Sequence, residues 1–341
     1  MIDSTLRAQT RPLFSRTPEP ILRPVPGSPW ASGAVFNPGA WYDGETVHLL
    51  VRGIPIGYQR RHAEEESFTG FDEYVSHIGY ASSADGVHFS LRESPFISPD
   101  APFDVFGAED PRISRIDDTY LITYTALSAP AFGSVDGVRI GLASTIDFET
   151  VDKHGVIGPP IRDKDAVIFP RLIDGRIAML HRIEPNIQLV YFDDLETLCR
   201  PGEKFWQAYL KDLERHTVMK PNEVWEEKKI GAGPTPIETP DGWLLIYHGV
   251  DKNQVYRAGI ALLDLYDPAR VLARSRVPVL EPETEFEILG DVDHVVFPEG
   301  AVVIDGTLHL YYGAADRVIC HATAKLEDVL SCLLSETTSS S

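Results

Sequence analysis

One short pattern recurs five times along this chain: a proline, a short apolar run, an Asp-Gly-like turn and an aromatic-rich strand. The copies begin at Asn37, Glu109, Phe169, Gly233 and Phe297. Their prolines, Pro38, Pro111, Pro170, Pro236 and Pro298, stand 73, 59, 66 and 62 residues apart. Self-similarity at such a period marks an array of like supersecondary units. Asp-Gly supplies the positive φ angles of a tight turn between strands of β-branched and aromatic residues, so each copy reads as a β-hairpin.

Further short apolar stretches follow in most units, at 76–82, 138–144, 188–192, 256–263 and 318–323. They suit the outer strands of four-stranded sheets. Five such sheets cannot each bury two faces alone, but set radially they cover one another and leave only short edges. The expected fold is therefore all-β: a five-bladed β-propeller with four-stranded antiparallel blades over residues 31–326. Residues 1–30 read as an N-terminal extension and 327–341 as a partly disordered C-terminal tail, with 334–341 its most polar part. A β-sandwich, or a pair of them, is the competing arrangement, but sandwich strands recur without so long a period. Helix is scarce. Residues 204–215 place Phe205, Tyr209 and Leu213 four apart beside Trp206 and Leu210, the pattern of a short amphipathic helix inserted before the fourth unit. Such a helix could cover the propeller, meet a partner subunit in a homo-oligomer, or simply pack at the surface. The polar insertion 54–73 in the first unit reads as a loop over one face.

Composition narrows the function. The 341 residues carry 31 basic and 51 acidic side chains, a formal charge of −20. That balance argues against nucleic acid or an anionic membrane as the main partner. Cys199, Cys320 and Cys332 are odd in number and lack CxxC spacing, which supports neither a disulfide framework nor a zinc cluster. The N-terminus lacks an apolar signal core, and no apolar stretch approaches the length of a bilayer span. The expectation is a soluble, unexported protein of the cytoplasm.

Inner strands of a propeller begin near its axis, so polar residues at equivalent repeat positions should converge on one funnel. Beside the repeat prolines, or just upstream of them, stand Asn37, Glu109, Asp110, Lys164, Asp165, Lys229, Asp293 and His294. Arg52, Arg182, His248 and Asp316 stand at strand ends. Asp110 is the sharpest candidate. The proline after it should hold its backbone extended, and a crowded polar pocket could tune it as a general acid. Pairing of Glu109 and Asp110 with Arg112 or Arg115, or capping of backbone amides, is the equally plain structural reading. Arg52, Lys164, Arg182 and Lys229 aimed at one axis would form an isolated positive pocket for phosphate or another compact anion. There is no Gly-rich phosphate loop, so nucleotide binding is not implied. Trp41, Tyr42, Tyr124, Tyr247, Tyr311 and Tyr312 could stack on sugar rings or fill the spaces between blades. The histidines show no metal spacing, and no metal or other cofactor is expected.

Taken in order, Asn37-Pro38, Arg52, the run Gly107-Ala108-Glu109-Asp110-Pro111-Arg112, the run Lys164 to Pro170, His181-Arg182, the run Trp225 to Pro234, Tyr247-His248-Gly249 and Tyr312 to Asp316 resemble glycoside hydrolase family 130, the β-mannoside phosphorylases and β-mannosidases. The resemblance spans residues 34–324. It implies a five-bladed propeller and an inverting attack of inorganic phosphate, as co-substrate, on a terminal β-mannosyl residue. The products would be α-mannose 1-phosphate and a shortened acceptor. It implies that Asp110 delivers its proton through the mannose 3-hydroxyl. It further implies that Arg52, Lys164, Arg182, Lys229 and His248 hold phosphate, and that Asn37, Asp293 and Asp316 lie at or beside the positions holding the mannosyl hydroxyls. Glu109 and Tyr312 complete the expected sugar-facing set. His294 departs from an asparagine more usual in the family. Two other functions stay in view: a β-mannosidase of the same fold with Glu227 or Glu299 as base, and a non-catalytic sugar-binding propeller.

Overall fold

The computed structural model describes residues 12–62, 68–131 and 137–338. It is a five-bladed β-propeller. Each blade is an antiparallel sheet whose strands run outward in chain order. The first blade comprises Ala34–Tyr42, Val47–Ile54, His77–Ser83 and Ser90–Leu91; the second, Ala108–Ile116, Thr119–Leu127, Val138–Thr145 and Asp152–Val156. The third is built from Lys164–Ile168, Ile177–Arg182, Ile187–Phe192 and Thr217–Met219. The fourth is built from Lys229–Ala232, Gly242–Val250, Tyr256–Leu263 and Val271–Arg274, with Ile237–Thr239 also paired to its second strand. The fifth contains Val296–Ile304, Thr307–Ala314 and Val318–Lys325.

The fifth blade takes its outermost strand from the other end of the chain. Ser15–Arg16 pairs antiparallel with Val318–Lys325, Ser15 opposite Thr323. The segment expected as an extension thus closes the ring, and Phe14 is buried in the core between blades four and five. Arg16 ties this strand down through Glu287 at 2.9 Å and the Glu281 carbonyl at 2.6 Å. The other end is also more ordered than a tail. Leu326–Thr338 is a helix, and its Val329 and Leu333 join the same core; residues 339–341 lie outside the described residues.

Every strand in the middle of a blade is sandwiched between two neighbouring blades. Side chains alternate between the faces of a strand, so both sets must be apolar. Leu49 and Val51 face the cluster shared with blade five, while Leu50, between them, faces blade two. Leu244 and Ile246 face blade five, whereas Trp243, Leu245 and Tyr247 face blade three. This two-sided burial is why the strands read as continuous apolar runs. It also places Tyr312 in the core between blades four and five, where its hydroxyl donates to Glu287 Oε1 at 2.7 Å.

The expected amphipathic helix is Glu203–Lys211, followed by a 3-10 turn at Leu213–His216. It covers blade three: Trp206 and Tyr209 are buried against Ile168, Ile177 and Phe192. The insertion 54–73 is a small hairpin of Gln59–His62 and Phe68–Asp72, not only a loop. Residues 63–67 within it lie outside the described residues. Beside this hairpin, Phe71 stacks on Tyr74 at 4.6 Å between ring centroids, and Tyr58 meets both edge-on.

Candidate active site

Four of the five innermost strands break register close to the axis. The shift falls at Phe36/Pro38, Glu109/Arg112, Lys164/Val167 and Pro298/Gly300. An extra residue in one strand of a pair is a β-bulge, which bends the strand and re-aims side chains. In the first three blades the bulged residue lies in the left-handed region: Asn37 at φ 47°, Asp110 at 52° and Asp165 at 55°. Asn and Asp tolerate that region better than other non-glycine residues. The extended backbone expected for Asp110 is therefore not what forms; the bulge prevails over the bias set by Pro111. Neighbouring blades make room with glycines. A Cβ on Gly313 would lie 1.9 Å from Asn37 Oδ1, and one on Gly231 would lie 2.3 Å from Asp165 Oδ2.

The bulges open onto an axial cavity of about 480 Å³. It is lined by Asn37, Arg52, Glu109, Asp110, Lys164, Arg182, Lys229 and Asp316 from the expected set. Five blades contribute to one hollow, as the repeat arithmetic required. Five expected residues do not line it: Asp165, His294, Tyr312, Asp293 and His248. Tyr312 points into the inter-blade core, because Tyr311 and Tyr312 are consecutive in one strand and must take opposite faces. Asp293 is exposed in a turn, accepting from the Gly290 amide at 3.2 Å. His248 is wholly buried behind Arg182.

Asp110 is almost completely buried and clamped on both oxygens. Oδ1 accepts from Asn37 Nδ2 at 2.8 Å and from Arg52 Nη1 at 2.9 Å, and Oδ2 from Lys164 Nζ at 3.2 Å. Burial alone would raise its proton affinity, but Lys164, Arg52 and Arg112 outweigh it and hold the carboxyl well below the usual carboxylate range. Arg52 spends its other donors on Glu109 Oε1 at 2.6 Å and Ser76 Oγ at 2.8 Å, with Phe36 stacked on the guanidinium. It is thus first a clamp for the acidic pair. The pairing of Glu109 and Asp110 with an arginine does occur, but with Arg52.

The cations on the other side of the hollow rest on a buried scaffold. Arg182 Nη1 lies 2.6 Å from Asp165 Oδ2 and donates to His248 Nε2 at 3.0 Å. Arginine can only donate, so His248 accepts and is neutral at that nitrogen. Burial, reinforced by Arg182, Arg112 and Lys229, pushes the His248 pKa well below its ordinary value despite Asp165. Lys229 is depressed to about 8, first by burial and then by Arg182, with Glu184 acting against them. Asp316 moves the other way, raised to about 7 by burial and by Asp110 and Asp291, against Arg52. Glu299, on the bulge of blade five, is buried beside Arg112 at 2.7 Å and held well above the ordinary range by that burial.

Several lining residues escaped the reading of the chain. Arg162, Tyr74, Tyr256, Gln254, Val138 and Phe297 all border the hollow. Tyr256 and Val138 open the third strands of their blades, and Phe297 precedes Pro298 as Asn37 precedes Pro38; extending the repeat alignment to those columns would have found them. Tyr74 follows the blade-one insertion and Arg162 sits in a loop, where no repeat column points. With Arg162, five cations border the hollow against three acids in a chain of −20 net charge. Such a site favours a compact anion bound beside a neutral, hydroxyl-rich ligand.

A family model described as beta-1,4-mannooligosaccharide phosphorylase, of glycoside hydrolase family 130, matches residues 5–335. The chain belongs to glycoside hydrolase family 130. Among its relatives, a 1,2-beta-oligomannan phosphorylase of Thermoanaerobacter sp. (strain X514) is 39% identical over 315 residues, covering 91% of this chain and 96% of that protein. A beta-1,2-mannobiose phosphorylase of the same organism is also 39% identical, over 316 residues, with the same coverage. The solved structure of a beta-1,2-mannobiose phosphorylase from Listeria innocua, in complex with beta-1,2-mannobiose, superposes with a TM-score of 0.75 at 30% identity. It covers 94% of this chain and 99% of that one. The family-wide resemblance of the sequence motifs and the propeller agree with these matches.

Proposed function

We propose that this family 130 enzyme cleaves the terminal mannosyl residue of β-1,2-linked manno-oligosaccharides by inverting phosphorolysis. Inorganic phosphate attacks C1 from the face opposite the departing sugar, the C1–O glycosidic bond breaks, and a C1–O bond to phosphate forms. The products are α-mannose 1-phosphate and an acceptor shortened by one unit. Phosphate comes already anionic and needs positioning, not deprotonation, so one acid suffices where hydrolytic inversion needs two carboxylates. Neither Glu227 nor Glu299, the carboxylates expected as a hydrolytic base, borders the hollow. The linkage follows the two Thermoanaerobacter relatives and the Listeria structure.

Asp110 is the proton donor in this reading, relayed through the mannose 3-hydroxyl to the departing oxygen. Lys164, Arg182, Lys229 and Arg162 face the phosphate, with His248 and Asp165 orienting Arg182 from behind. Asn37, Glu109 and Asp316 face mannosyl hydroxyls. The observation that carries the proposal is Lys164: it borders the anion pocket and contacts Asp110 Oδ2. A dianion arriving at this lysine weakens its hold on Asp110, so phosphate binding raises the proton affinity of the acid just when a proton is needed. A cytoplasmic setting and phosphate as the sole co-reactant belong to the same proposal. The test is incubation with β-1,2-mannobiose with and without phosphate. Mannose 1-phosphate forming only with phosphate supports it; free mannose appearing at the same rate without phosphate rejects it for a hydrolase.

A further inference from the structure

Glu184 follows the second strand of blade three by two residues and does not border the hollow, yet three cations that do border it converge on one of its oxygens. Oε1 lies 3.0 Å from Lys229 Nζ, 3.2 Å from Arg182 Nη2 and 4.0 Å from Arg162 Nε. The carboxylate is held below its ordinary range: Arg182 and Lys229 outweigh the burial that opposes them. For Arg182 this contact is redundant, because Asp165 and His248 already fix its other end. Lys229 has no such second anchor. Among the described residues, Glu184 is the one carboxylate within ion-pair distance of it. Its other charged or titratable neighbours are Arg182 and Lys164 of blade three, Arg162 ahead of that blade, and His248 and Tyr256 of its own.

Resting on the phosphate assignment above, we propose that Glu184 is a resident counter-anion of the phosphate pocket. It keeps Lys229 charged while the pocket is empty and lowers the pocket's affinity for the incoming anion. The two effects have opposite signs and separate with pH. Lys229 titrates near 8 with Glu184 beside it. Loss of that negative charge moves the lysine lower still. At about pH 6 Lys229 is charged with or without Glu184, so a Glu184→Gln pocket carries one more net positive charge and binds anions more tightly. As the pH rises toward about 8 the variant loses the Lys229 charge before the native enzyme does, and the advantage narrows.

Sulfate is the suitable probe, since it stays a dianion across this range while phosphate itself titrates. The measurement is the inhibition constant of sulfate against phosphate in the phosphorolysis assay, for the native enzyme and Glu184→Gln, from about pH 6 to 8. The expected result is a constant roughly three- to tenfold lower in the variant at the acid end, with the advantage narrowing as the pH rises toward about 8. In Lys229→Arg/Glu184→Gln the arginine does not titrate, and the advantage over Lys229→Arg should persist throughout. A ratio independent of pH in the first pair, or weaker inhibition of Glu184→Gln already at the acid end, overturns the role of Glu184 alone. Sulfate failing to compete with phosphate in the native enzyme overturns the phosphate pocket itself.

Discussion

At the scale of single residues, the hollow is organised around one carboxylate, held on both oxygens. Asp110 is ionised in the phosphate-free site because three cations outweigh its burial, so its proton must come with, or after, phosphate. Phosphate binding at about pH 8 should take up protons at Lys229, which titrates near 8, read from binding heats in buffers of different ionisation enthalpy. That uptake should vanish in Lys229→Arg, and an unchanged uptake there would contradict the placement of Lys229 against phosphate. The placement of Asp110 and of most of the cations on the hollow was legible because they occupy matched repeat columns. Their roles were less so. Pro111 suggested an extended Asp110, and only the extra residue of the bulge explains its φ of 52°. His248 stands in the right column, but a blade has depth, and the chain cannot tell a residue at the cavity wall from one buried behind it.

At the scale of elements, the hairpins and third strands were readable to within a residue or two, because both faces of each strand are buried and apolar runs mark them. Close packing between elements left weaker marks. Trp30 lies across blade one with its ring over Gly53 and Gly79, and a Cβ on Gly79 would fall 1.9 Å from Trp30 Cη2. The indole is also fixed by its Nε1, which donates to the Glu93 carbonyl at 2.7 Å, so it cannot swing away. Gly79→Ala should lower stability by about 1–3 kcal/mol by overpacking, measured as a shift in the urea midpoint. On blade three the inserted helix is joined to the sheet by Tyr209, whose hydroxyl lies 2.6 Å from His181 Nε2. Tyr209→Phe leaves that buried nitrogen without its partner and should cost about 1–3 kcal/mol. Equal midpoints for native and variant would mean that this hydrogen bond does not help to hold the helix. The helix was legible from its spacing; the choice of blade three over a partner subunit was not, since the sequence shows an apolar face and not what covers it.

At the scale of the whole molecule, a ring of five blades needs a closure, and it is made by pairing the two ends of the chain in one sheet. This was the least legible feature: a two-residue strand at Ser15–Arg16 carries no periodicity to read. Phe14→Ala removes a buried ring from the closure and should destabilise the fold by about 3–5 kcal/mol, without altering the affinity of the intact ring for substrate. A midpoint unchanged in that variant would mean the N-terminal strand is dispensable. The ring matters to function because it alone brings an acid of blade two, the cations of blades three and four and Asp316 of blade five to one hollow. The most direct test is phosphorus NMR of β-1,2-mannobiose with phosphate, using native enzyme and Asp110→Asn. The native enzyme should yield α-mannose 1-phosphate, and the variant should do so about 100- to 10,000-fold more slowly while still binding the sugar. A β anomer, or an undiminished rate in the variant, would contradict the assignment of an inverting attack assisted by Asp110.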